Sequence, residues 1–140
     1  MKQVYIINEN HPQLLLFFAG WAADETPFKQ YRPKDMDYMI CYDYRTLDFD
    51  YSIFDRYRQV NVVAWCMGVW MGSLILSQVP RDKVFSLAFN GTTYPIDNLE
   101  GIPVKTFQAT LDGLTPATLQ KFLRRMCKDS NAYKAFMEVT

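Results

Sequence analysis

The chain has 140 residues, 49% of them hydrophobic and 16% aromatic, with a formal net charge of +0. This length and composition fit one folded globular domain with a sizeable core and argue against a disordered chain. Charge balance argues against bulk electrostatic binding to nucleic acid or to an anionic membrane, and the apolar run Val62 to Gly72 is too short to span a bilayer.

Taken in order, Lys2 to Ile7 alternates into a short strand and Asn8 to Pro12 makes a turn. Leu14 to Phe18 is a continuous apolar run, the pattern of a buried parallel strand covered on both faces. Ala19-Gly20-Trp21 follows as a loop. Thr26-Pro27 resembles an N-cap with a first-turn Pro, which predicts a short helix to about Tyr31. Tyr38 to Tyr42 is the third strand, and Tyr51 to Arg58 is weakly helical. Val60 to Trp65 is a β-branched strand, Met67 to about Gln78 its helix, and Pro80 the helix exit. Val84 to Phe89 reads as a further buried strand, closed by Asn90-Gly91.

After Gly91 the chain turns polar and turn-rich. Val104 to Leu111 fits either a short helix or an extended segment. Thr115-Pro116 caps a helix whose Leu119, Phe122, Leu123 and Met126 fall at i, i+3, i+4 and i+7, one apolar face. A last helix starts near Asn131, with Tyr133, Phe136 and Met137 on one side, and ends at Thr140. Strands alternating with helices predict a three-layer, mostly parallel sheet. Residues 1–92 form its core and 93–140 a helical cap.

The segment Ala64-Trp65-Cys66-Met67-Gly68 lies where the strand pattern gives way to the helix pattern. It is close to the G-x-S-x-G nucleophile elbow, with Ala for the first Gly and Cys for Ser. A strand-to-helix elbow needs small residues two before and two after the nucleophile. The helix N-terminus beneath it aims free N–H groups and a positive dipole end at the site, where they stabilise a thiolate or an oxyanion. The plainer alternative is a buried Cys acting as a small hydrophobe. Cys41, Cys66 and Cys127 make an odd number without metal-ligand spacing. That fits a reducing cytosol and leads us to expect no metal or other cofactor.

Phe17-Phe18-Ala19-Gly20-Trp21, Cys41-Tyr42-Asp43-Tyr44, Ala64 to Trp70, Gly101-Ile102-Pro103 and Arg124-Arg125-Met126-Cys127 resemble, in the same order, segments of the BioG-type pimeloyl-carrier-protein methyl ester esterases. The resemblance runs from the first strand to the end of the chain. It implies an α/β hydrolase that cleaves the methyl ester of pimeloyl-acyl carrier protein in biotin synthesis. It puts Cys66 at the nucleophile position and assigns oxyanion donation to the backbone N–H groups of Met67 and Trp21. Trp21 also fits a loop aromatic that plugs the core edge.

Two departures stand out. Cys replaces Ser, and a thiolate needs a base to form and an acid to finish the reaction. The single histidine, His11, precedes the strand Leu14–Phe18, whereas sites in open parallel sheets lie at the carboxyl ends of strands. Five or more strand residues put it about 15–20 Å away. His11 is therefore expected to be a turn residue, and the family's late acid, His and C-terminal strands are expected to be missing from this chain. Asp43 fits either a carboxylate partner or a loop residue bonded to nearby N–H groups.

Lys121, Arg124, Arg125 and Lys128 form a basic stripe that fits either a solvated helix face or a dock for an acidic acyl carrier protein. The alternatives to the esterase are a general carboxylesterase or thioesterase, and a non-catalytic hydrolase-like binding module. Self-association is expected from the exposed strand edge and the last helix.

Overall fold

The computed structural model describes residues 1–139; Thr140, the expected end of the last helix, lies outside them. The chain divides into two compact units, Met1–Pro95 and a second from Ile96 on.

The first unit is a five-stranded sheet of β1 (Lys2–Ile7), β2 (Gln13–Phe18), β3 (Asp37–Tyr42), β4 (Gln59–Trp65) and β5 (Val84–Phe89). The spatial order is β1-β3-β2-β4-β5. β3, β2, β4 and β5 run parallel, and β1 joins the β3 edge antiparallel. After β2 the chain steps to one side for β3 and then to the other for β4. The order therefore reverses around β2, and the carboxyl ends of β2 and β4 flank a crevice of the kind that holds ligands in open α/β sheets.

Strand alternation sends side chains to two cores. Leu14, Leu16 and Phe18 join Met39, Cys41, Val60, Val62 and Ala64 on one face. Helices α1 (Ile53–Arg56) and α2 (Met67–Leu76) cover that face with Ile53, Phe54, Val69, Met71 and Ile75. Burying each such side chain contributes about 1.5–3 kcal/mol. Phe17, Ala19, Tyr38, Ile40 and Tyr42 form the second core on the other face. The expected third layer is not built here as helices. Among the described residues of this unit, the loop after β2 covers the second core with Ala23 and Phe28.

Three local expectations also change. The predicted helix from Thr26 is a single 3₁₀ turn, Thr26–Phe28. Its carbonyls bond three residues on, Glu25 to Phe28 and Phe28 to Tyr31, and so short a segment lacks the length to propagate an α-helix. Helix α2 stops at Leu76, two residues early. Gln78 and Val79 bond back to Ile75 and Leu76 in a tightened last turn, because Pro80 disfavours helical backbone at Val79. Finally, β5 is not buried. Apart from half-buried Val84 all its residues are exposed, Phe85 at 65% and Leu87 at 54%. It is the sheet's edge strand, and its apolar pattern signals both faces but not what lies over them.

The second unit holds α3 (Val104–Asp112), α4 (Pro116–Met126) and α5 (Ser130–Val139). The ambiguous segment after Pro103 is thus helical. Asn98 Oδ1 accepts the Val104 N–H at 3.2 Å, a cap supplied from six residues upstream. Thr115 caps α4 as expected: Thr118 N donates to its hydroxyl, and the Thr118 hydroxyl accepts the Thr115 N–H. None of the described side chains in this unit is fully buried.

Candidate active site

Cys66 sits between β4 and α2 with φ 55° and ψ −122°, a conformation that costs a non-glycine residue on the order of 1–3 kcal/mol. The neighbours enforce it. The Cys66 N–H donates to the Phe89 carbonyl at 3.3 Å, and its own carbonyl accepts the Val69 N–H at 3.1 Å. Gly68 lies so close to β2 that a Cβ there would come 2.2 Å from the Phe18 oxygen, so only glycine fits. Ala64 is buried behind the turn, where a Cβ on Gly72 would lie 3.4 Å from its methyl group. The two small positions read from the sequence are both occupied by close packing.

Strain gathers along this rim. Ala22, Asp43, Cys66 and Asn90 follow β2, β3, β4 and β5 in turn, and all have positive φ. A cavity of about 490 Å³ opens at the same edge, lined by Gly20, Trp21, Tyr42, Tyr44, Met67 and Trp70 among others. The two residues expected to supply oxyanion N–H groups, Trp21 and Met67, therefore line the same cavity. Gly20 lies against the elbow, since a Cβ on it would stand 3.1 Å from the Cβ of Cys66.

The titratable groups around this cavity are already engaged. Asp43 is a loop residue bonded to Arg45: its two oxygens take the Arg45 Nε and Nη2 at 2.6 Å each, and the Arg45 backbone N–H also bonds to it. That guanidinium holds the carboxyl below its ordinary range. Asp24 accepts the Thr26 N–H at 2.8 Å. Burial, helped by a bond to Glu25, pushes the Tyr42 hydroxyl up to about 12, and burial raises Tyr44 further still. Neither phenol is a base near neutral pH.

His11 is at the far edge. Its Nδ1 lies 2.9 Å from Oδ1 of Asp37, which also accepts the backbone N–H groups of Glu9 and His11. The Tyr57 hydroxyl donates to Oδ2 at 2.7 Å. Asp37 pairs in register with Leu14, whereas Phe18 pairs with Ala64, two residues before Cys66. That spacing keeps His11 about 15–20 Å from the elbow. The sequence reading missed Asp37. Its one signal was a carboxylate at the start of an apolar strand, where only a paired charge is tolerated.

On α4, Lys121 and Arg125 are exposed, as is Lys128 just past its end, but Arg124 is half-buried. Its Nη2 donates to Ser130 Oγ at 2.9 Å and its guanidinium lies 5.8 Å from the Tyr133 ring centre. Arg124 thus ties α4 to α5, and the basic face is narrower than the sequence suggested. Among the described residues no helix is long and apolar enough to cross a membrane, and no group of three or more His, Cys, Asp or Glu is placed to hold a metal ion.

Comparison with known proteins agrees with this geometry. A crystal structure of selenomethionine BioG from Haemophilus influenzae superposes with a TM-score of 0.87 at 34% identity, covering 100% of this chain and 64% of that one. The chain is 50% identical over 127 residues to a malonyl-[acyl-carrier protein] O-methyltransferase of Bacteroides fragilis, covering 91% of this chain and 26% of the relative. It is 37% identical over 124 residues to an uncharacterized protein of Haemophilus influenzae, covering 88% and 56%. The chain thus spans less than two thirds of the length of each. Residues 1–140 match the family described as pimeloyl-ACP methyl esterase BioG, and with the whole described fold in accord, the chain belongs to that family.

Proposed function

We propose that this chain carries the nucleophile elbow and oxyanion loop of a cytosolic α/β-hydrolase esterase acting on pimeloyl-acyl carrier protein methyl ester, within biotin synthesis. The observation that supports it most is Cys66 itself, held at φ 55° and ψ −122° at a strand-to-helix junction. The family it belongs to acts on carrier-bound esters. Exposed Lys121 and Arg125 on α4, with Lys128 just past its end, suit an acidic carrier protein.

In the reaction the Cys66 sulfur bonds to the ester carbonyl carbon and the C=O π electrons move onto oxygen. The Met67 and Trp21 N–H groups stabilise that oxyanion. Collapse breaks the C–O bond and expels the alkoxide, which takes a proton to become the alcohol, and leaves a thioester; water hydrolyses that to the acid and the free Cys66 thiol. Cysteine changes the balance of this step. A thiolate is a far weaker base than methoxide, so the adduct expels sulfur again unless an acid protonates the departing methoxide. Among the described residues no histidine reaches Cys66, so this chain suits esters with good leaving groups.

The test is intact-mass detection of an acyl group on Cys66 after incubation with p-nitrophenyl acetate, with Cys66→Ala as the control. A second reading, a hydrolase-like binding module, is favoured by His11 being locked to Asp37 on the opposite edge. It predicts no adduct, while Cys66 still reacts with iodoacetamide.

A further inference from the structure

Tyr44 follows the strained residue Asp43 (φ 57°), where the chain turns back after β3. Its hydroxyl reaches the Ala19 carbonyl at 2.7 Å and the Cys41 carbonyl at 3.0 Å. The Ala19 N–H also donates to Cys41 O, at 2.9 Å. The first residue beyond β2 is therefore gripped through both its N–H and its C=O. Ala19 is fully buried, and Gly20 beyond it packs against Cys66. The Gly20 carbonyl then accepts the Ala23 N–H at 3.3 Å, closing a turn that includes Trp21 and, at φ 58°, Ala22.

We propose that Tyr44 is a positioning residue for the oxyanion loop: its hydroxyl, set between the Ala19 and Cys41 carbonyls, fixes the peptide that leads into the one carrying the Trp21 N–H. The proposal rests on the esterase reading above. The physical reason is leverage. The Ala19 carbonyl and the Gly20 nitrogen belong to one rigid peptide plane. Anchoring that plane sets where the next one starts; packing of Gly20 against Trp65 and Cys66, and the bond from the Ala23 N–H to the Gly20 carbonyl, then hold the second plane, which carries the Trp21 N–H. An oxyanion donor works only if it is already aimed at the charge that develops. Burial keeps the Tyr44 proton in place, so the anchor holds across the working pH range.

The test separates reactions that need an oxyanion hole from one that does not. Acylation of Cys66 by p-nitrophenyl acetate passes through an oxyanion; alkylation by iodoacetamide is a direct displacement at carbon. Tyr44→Phe should slow acylation about 10–100-fold, short of losing a donor outright, with alkylation changed less than about twofold. p-Aminophenylalanine at position 44 keeps the ring and restores an N–H donor, so it should recover most of the loss. Buried Cys41 reports folding, since only an unfolded chain exposes it to iodoacetamide. If Tyr44→Phe exposes Cys41, p-fluorophenylalanine, of nearly the same shape as Tyr but without a donor, replaces it in the comparison. Equal acylation by the variant and the unsubstituted chain, or a matching fall in both reactions, overturns the positioning role while leaving the esterase reading intact. Failure of the unsubstituted chain to acylate, with alkylation normal, overturns the esterase reading and this proposal with it.

Discussion

His11 Nδ1 and Asp37 Oδ1 lie 2.9 Å apart at the amino ends of the parallel strands, across the sheet from Cys66. The only histidine of an esterase-family chain is thus spent on anchoring a turn. Asp37 is fully buried, yet its carboxyl sits below its ordinary value. Burial acts to raise it, but bonds from the Glu9 N–H, Tyr57 and His11 outweigh that.

His11→Ala should therefore cost about 1.5–3 kcal/mol of stability, the range for a hydrogen bond to a charged group. The rate of Cys66 acylation in the folded protein should not change. Urea unfolding and the acylation rate check both. The pH dependence has a definite sign. A folded-state value below the unfolded one means that Asp37's contribution is full above the ordinary carboxylate range and is lost as pH falls through and below it. Asp37→Asn should flatten that acid limb of the stability curve. A limb of unchanged slope would show that other carboxylates govern it.

Leaving-group chemistry gives the second prediction. p-Nitrophenyl esters should acylate Cys66 in a burst of one equivalent, whereas methyl esters should show no turnover at pH 7–8. Loss of acid–base assistance commonly costs a factor of about 10²–10⁴, and for methoxide expulsion by a thiol adduct it bears on the step that decides the outcome. Steady methanol release by purified 1–140 would overturn this view of the mechanism.

Gly68→Ala should be far more damaging than its size suggests. The added methyl would stand 2.2 Å from the Phe18 carbonyl oxygen and 2.7 Å from that of Ala19. Neither is the end of a flexible side chain, so the elbow must shift. A cost at or above the usual 1–3 kcal/mol or so for overpacking is expected, together with loss of acylation. A folded variant that acylates normally would mean that β2 and α2 can separate without disturbing Cys66.

The strand-to-helix junction was legible because elbow chemistry is local: a β-branched run, two small residues and an apolar helix fall within Val60 to Leu76. The five strands were equally plain, being short apolar runs between turn residues. What could not be read depends on which side chains and strands the fold brings together. The Asp37–His11–Tyr57 cluster joins three segments. The Arg45 grip on Asp43 needs a positive φ that no composition rule announces. Exposure of β5 depends on its place in the strand order, not on its residues. Arg124 fits the charged stripe by spacing, yet Tyr133 and Ser130 claim it.

That last distinction separates the basic residues of α4 and of the turn after it. Lys121→Glu, Arg125→Glu and Lys128→Glu should each weaken binding of an acidic acyl carrier protein, chiefly through the association rate and most strongly at low salt. The melting temperature should barely move. Arg124→Ala should instead cost about 1 kcal/mol by freeing α5 from α4. Calorimetry with apo carrier protein at two salt concentrations, beside thermal melts, separates the two effects. Equal losses of binding from all four positions would point to general destabilisation.

Finally, the isolated chain should self-associate. Among the described strands β5 lies at the edge of the sheet and pairs only with β4, and its sequence Val-Phe-Ser-Leu-Ala-Phe carries no charge to deter pairing. Phe85, Leu87 and Phe89 alternate along one face at 65%, 54% and 43% exposure. By register they continue the surface of Asn61, Val63 and Trp65 on β4. On the other face, Val84, Ser86 and Ala88 help line a hollow of about 370 Å³ beside α2. A second copy can add its own β5 edge to edge, which satisfies both backbones and narrows the exposed apolar area. Sedimentation at tens of micromolar should therefore show dimers or larger species. Ser86→Lys and Leu87→Lys should shift them toward monomer without loss of the elbow's reactivity, because both positions lie on an exposed strand. A clean monomer that binds no hydrophobic dye would show that the β5 edge is protected by some other part of this chain.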